Sequence, residues 1–112
     1  MTPEASQAQI RNIEWELLRV LCSTALAASA RREALAMLSG YAFNDPIRQA
    51  IFDEANRIGP ERPDLLRQEL PARLTRRGFP AVDFDSLFAP PSLTTEQALE
   101  KARALLESAG RL

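Results

Sequence analysis

Apolar residues recur at steps of three and four along most of this 112-residue chain. Ile10, Ile13, Leu17, Leu21 and Ala25 open the pattern, with Leu18 widening the stripe and Trp15 at its edge. Ile47, Ile51, Ala55 and Ile58 repeat it, and Ala98, Leu99, Ala102, Leu105, Leu106 and Ala109 close on it. A period near 3.6 residues signals amphipathic helix, and each such stripe must face a shared core. The pattern predicts an all-α fold, a compact orthogonal bundle of five or six helices. Residues 1–8 read as a lead-in and 9–112 as a single helical domain.

Local signals divide the helices. The first is predicted over residues 9–28, with Arg11, Glu14, Glu16 and Arg19 outside and the alanines of 25–30 extending it by their high helix propensity. A short helix follows over 31–39, with Ser29 as a weak cap and Gly40 as a left-handed stop. Asn44-Asp45-Pro46 is the sharpest start signal: an Asx side chain accepts orphan amides, and proline suits a first turn that needs no donor. Arg48, Gln49, Asp53, Glu54 and Arg57 are assigned to the wet side of that helix, and Gly59-Pro60 stops it. Pro63-Asp64 opens the next, with Leu65, Leu66, Leu70 and Leu74 as one face. Pro71 interrupts this face at a helix-interior cost of about 3 kcal/mol. A break after Gln68 is therefore expected, with a restart at Pro71 and an end at Gly78. Residues 79–91 read as an ordered connector with one short turn begun by Asp83 or Asp85. Thr94 and Gln97 form a capping box for the last helix, which Gly110 ends.

Several function classes are argued against. Lys+Arg number 14 and Asp+Glu 15, so the formal net charge is −1, and binding of nucleic acid by a strongly basic surface is not supported. With no histidine there is no imidazole ligand, base or pH switch. Cys22 is the only cysteine and lies in an apolar stretch, as expected of a buried small hydrophobe in a reducing compartment. The four glycines each follow a helical segment, so none reads as part of a phosphate-binding loop, and no cofactor is expected. The longest weakly polar stretch, 20–30, is too short to span a bilayer. The start, MTPEASQ, lacks the basic region of an export signal. The cytoplasm is the expected location.

Few residues suggest chemistry. Asp83 and Asp85 lie two apart and would hold a divalent metal only with help from elsewhere, while a pair of turn-capping aspartates explains them more simply. Asp53 and Glu54 are adjacent on a helix and do not face each other as a catalytic dyad. Arg67, Arg73, Arg76 and Arg77 form a basic cluster. Its readings are a salt-bridged helix end, a protein contact, or a phosphate contact that would make the chain a nucleic-acid binder. Trp15, to the side of its stripe, is either core edge or a partner anchor. With no catalytic constellation, the chain is expected not to be an enzyme, and binding is the default.

Three stretches resemble a known family. Glu14-Trp15-Glu16-Leu17-Leu18-Arg19-Val20-Leu21 is similar to the first helix of the N-terminal domain of bacterial replicative DNA helicases. Tyr41 to Phe52, an aromatic followed by a capped helix with an Ile-Phe pair, is similar to a second landmark of that domain. Leu65 to Gly78 resembles its leucine-rich helix ending at glycine. The helicase-binding C-terminal domain of bacterial primase, which shares that helical fold, is an equally close likeness. The resemblance implies protein interaction in DNA replication, without helicase or primase chemistry. It implies a replicative helicase or primase as partner, or a second copy of the chain. Candidate contact residues are Trp15 and Arg19 on the first helix, and Arg73, Arg76 and Arg77 at the basic helix end.

Overall fold

The capping signals translate directly into structure. Asp45 is extended at φ −106°, ψ 128°, and its Oδ1 accepts the Ile47 amide at 2.7 Å, so the helix begins at Pro46. Thr94 and Gln97 close their box reciprocally: Gln97 Oε1 accepts the Thr94 amide at 2.9 Å, and Thr94 Oγ1 accepts the Gln97 amide at 3.2 Å. At Gly78, φ is +93°, its amide reaches Thr75 O, and the Phe79 amide reaches Leu74 O at 2.8 Å. These two bonds make a Schellman stop, whose usual apolar partner is supplied by Phe79 against the core.

The structure is a computed structural model that describes residues 7–24, 26–43 and 45–108. Among the described residues there are six helices and no strand. They are α1 (Gln7–Leu21), α2 (Ala28–Leu38), α3 (Pro46–Ile58), α4 (Pro63–Arg76), α5 (Phe84–Leu87) and α6 (Thr95–Ser108). The radius of gyration, 13.4 Å, is that of a compact domain of this length. α1 lies at the centre, touching α2, α3, α5 and α6, while α4 packs on α3. Leu17, Leu18, Leu21, Leu38, Ile51, Leu66, Leu70, Leu74, Leu87 and Leu105 are fully buried between them. Tyr41 meets Phe43 edge to face and Phe43 meets Phe52 at a tilt, with ring centroids 5.0 and 5.5 Å apart. No helix of the described residues is long and apolar enough to cross a membrane.

Several boundaries differ from expectation. α1 starts within the expected lead-in, whose residues 1–6 lie outside the described residues, as do Asn44 as an alternative cap and Gly110 as the last stop. α1 stops at Leu21 instead of running to Ala28. The carbonyls beyond it are claimed by side chains from elsewhere. Arg67 Nε donates to Cys22 O at 2.9 Å, and Arg31 Nη2 donates to Ser23 O and Leu26 O at 2.6 and 2.7 Å. A guanidinium bond to a backbone carbonyl replaces the helical amide that alanine propensity favours. α2 accordingly begins earlier than expected, after Ala27, and Ser29 lies inside it rather than capping it. Gly40 has no positive φ. The chain leaves α2 through Ser39 in the right-handed region, with the Tyr41 amide bonded to Leu38 O.

α4 runs unbroken through Pro71. Leu66, Leu70 and Leu74 sit one turn apart and are all buried. Burying three leucines is worth roughly 5–9 kcal/mol, which exceeds the ~3 kcal/mol that an interior proline costs. Leu65, expected on the same face, is only half-buried. Because the helix is continuous, Pro71→Ala restores a missing amide without moving a buried side chain. It should raise stability by about 1 kcal/mol or more, a rise in Tm of roughly 4 °C upward for a domain this size, read by circular dichroism. A lower Tm would contradict a continuous α4.

Candidate interaction site

Among the described residues three charged side chains lie in the interior: Glu14 at 0%, Arg31 at 2% and Glu54 at 3% exposure. Each is matched. The phenol of Tyr41 donates to Glu14 Oε2 at 2.6 Å, and Arg48 Nη1 donates to Glu14 Oε1 at 3.1 Å. Burial, and then the bond to Glu14, push the Tyr41 phenol above its ordinary value, with Arg48 opposing. Arg31 has no carboxylate partner among the described residues; besides Ser23 O and Leu26 O its guanidinium donates to Pro60 O. Burial holds its pKa below the ordinary value. Glu54 collects three guanidinium groups: Arg57 at 3.0 Å, and Arg73 and Arg77 at 3.2 Å each. Hydrogen bonds to Glu69 and then Glu54 raise the pKa of Arg73. Glu14, Arg48 and Glu54 were all expected on wet faces. The available signal was position: Glu14 follows Ile10 by four and precedes Leu18 by four, and Glu54 follows Ile51 by three and precedes Ile58 by four. Both carboxylates therefore sit within apolar stripes.

The expected contact residues are distributed over three places. Trp15 is half-buried; its indole N–H donates to Ser86 Oγ at 3.1 Å, and the Arg48 guanidinium lies 5.6 Å from its ring centre. Arg19 pairs with Glu16 at 3.0 Å and donates to Pro90 O at 2.6 Å. Arg73 and Arg77 meet at Glu54, and Arg77 also reaches Asp53 at 3.6 Å. Arg76 is exposed and bonds only weakly to Ala72 O, at 3.4 Å. Arg67 stands apart from that group: it donates to Cys22 O and Phe88 O and lies 5.3 Å from the Phe88 ring centre. The four arginines of the basic cluster are thus not one patch.

The carboxylates of the expected metal reading are also separated in role. Asp83 caps α5 by accepting the Ser86 amide at 3.1 Å, and Asp85 is exposed. Among the described residues no group of three or more His, Cys, Asp or Glu side chains is placed to hold a metal ion.

An open cleft of about 370 Å³ lies beside Trp15. Ile47, Ala81 and Val82 give it apolar surface; Asp45, Arg48, Asp83 and Ser86 give it polar groups. It joins the first turn of α3 to the first turn of α5, with the indole of α1 between them. Of its lining residues only Trp15 was legible as a contact residue, because the others come together through the docking of α3 and α5 on α1.

The Glu14 cluster yields a stability prediction. Arg48→Met strands a buried carboxylate and should cost about 3–5 kcal/mol. Adding Glu14→Gln should recover much of that loss, measured as a coupling in denaturant unfolding. Additive effects would mean that the two groups do not meet. Cys22 yields a second. It is buried, and desolvation pushes its thiol from 9.0 to about 12, against the opposing fields of Arg67 and Arg31. The folded chain thus keeps a proton that the unfolded chain loses. This contribution is whole below pH 9.0 and is lost as pH rises towards about 12, with a slope of up to about 1.4 kcal/mol per pH unit. Tm should fall across that range, and Cys22→Ala should fall less steeply. Parallel slopes would refute the burial argument.

No protein-family model, no curated protein and no solved structure matches the chain.

Proposed function

We propose that this chain is a non-catalytic helical protein-interaction domain, and that it works in the cytoplasm with the helicase and primase machinery of DNA replication. The observation that supports this reading is how the resembling stretches meet. Glu14 and Trp15 from the first stretch engage Tyr41 and Arg48 from the second, through a 2.6 Å bond, a 3.1 Å ion pair and a cation–ring contact. These two stretches therefore form one interlocked unit with a cleft beside it. A helical unit of this kind presents a surface in fixed geometry, which suits docking on another protein.

The nucleic-acid reading is less well supported. Arg73 and Arg77 are tied to Glu54, Arg67 is tied to backbone carbonyls, and phosphate contacts would have to displace those bonds. Arg76 alone in that group keeps an open guanidinium among the described residues.

The test is light scattering coupled to size exclusion, on the chain alone and mixed with the replicative helicase and the primase of its own organism. A complex with either, or a defined dimer that recruits one of them, is the expected result. A chain that stays monomeric and elutes apart from both proteins would overturn the proposal.

A further inference from the structure

We propose that the cleft beside Trp15 receives a lysine or arginine side chain of a partner protein, with an apolar neighbour of that residue resting on Ile47 and Val82. The assignment rests on the interaction-domain reading for its choice of a protein as occupant. Its own support is charge and shape.

The cleft has an apolar floor: Ile47 and Val82 are each half-buried, leaving surface that no part of the described chain covers. Two exposed carboxylates stand at it, those of Asp45 and Asp83. Each uses one oxygen to accept a backbone amide, which fixes its orientation, and neither has a cationic side chain paired with it among the described residues. The one cation in the lining, Arg48, is engaged by the fully buried Glu14 behind it and also donates to Arg11 O. Counting Asp45, Asp83 and Glu14 against Arg48 leaves this corner two charges negative. The amide end of α3 offsets only about half a charge of that. A phosphate or an acidic segment is repelled here, whereas a cationic side chain is matched and its aliphatic stem has apolar surface to cover. The volume, about 370 Å³, admits a long side chain together with a neighbour.

The chain has a single tryptophan, and it lines this cleft, so its emission reports occupancy directly. The probe is the blocked peptide acetyl-Leu-Arg-Leu-Arg-amide, with acetyl-Leu-Glu-Leu-Glu-amide as its opposite. Asparagine caps helices as well as aspartate does. The variant Asp45→Asn/Asp83→Asn therefore removes the charge and keeps both caps, which an unchanged Tm verifies. The expected result is a saturable change in Trp15 emission with the arginine peptide, weakened by salt, and none with the glutamate peptide. Affinity should fall about fivefold or more in the double variant. Equal binding by the variant, an equal response to both peptides, or no response to the arginine peptide would overturn the assignment. Co-elution of the double variant with helicase or primase, undiminished, would overturn the cleft and leave the interaction reading standing. Arginine-peptide binding without co-elution would do the reverse for the replication partner.

Discussion

The carboxylate of Glu14 has no access to water, and the fold is built around meeting its needs. An unpaired charge in that position would be several kcal/mol too costly for a domain of this size. Tyr41 comes from the connector after α2, and Arg48 comes from the first turn of α3. Pairing both with Glu14 fixes α1, the connector and α3 against one another at a single point. Glu54 does the same between α3 and α4, with arginines from both helices. Leucines fill the space between helices but tolerate sliding and rotation, because apolar burial is not directional. The buried carboxylates are directional, and they select one arrangement among those that leucine burial would accept.

The bundle was legible in the sequence because its determinants are local. A cap acts over three residues, so Asp45-Pro46 and Thr94 with Gln97 announce themselves wherever they occur. Stripes of Ile, Leu and Ala announce helices in the same way. What escaped were decisions made at a distance. The end of α1 depends on Arg31 and on Arg67, the latter 45 residues away from the carbonyl it binds. The continuity of α4 through Pro71 depends on three leucines finding a core that other helices supply. In each case local preference pointed one way and tertiary contact prevailed.

The candidate site follows the same division. Trp15 stood out because it falls beside its own stripe. Its surroundings did not, since Ser86, Val82 and Asp83 lie some seventy residues on and reach it only through α5, a helix of four residues. The basic cluster was legible as a salt-bridged helix end, and Arg73 and Arg77 are paired there with Glu54, Glu69 and Asp53. Membership of the cluster was not legible: the helix turns Arg67 to the carbonyls of Cys22 and Phe88 and leaves Arg76 exposed, while Arg73 and Arg77 share Glu54.

The corner between α1 and α2 has one more consequence. Its residues, Cys22 to Ala27, carry no glycine or proline, and nothing in their own chemistry forbids a longer first helix. Guanidinium groups of α2 and α4 hold Cys22 O, Ser23 O and Leu26 O at the bend. The shape of the segment is therefore tied to the arrival of α2 and α4. A nascent chain that has not yet made α4 would lack the Arg67 restraint while already having that of Arg31. The order in which the chain emerges thus becomes part of how its architecture is decided.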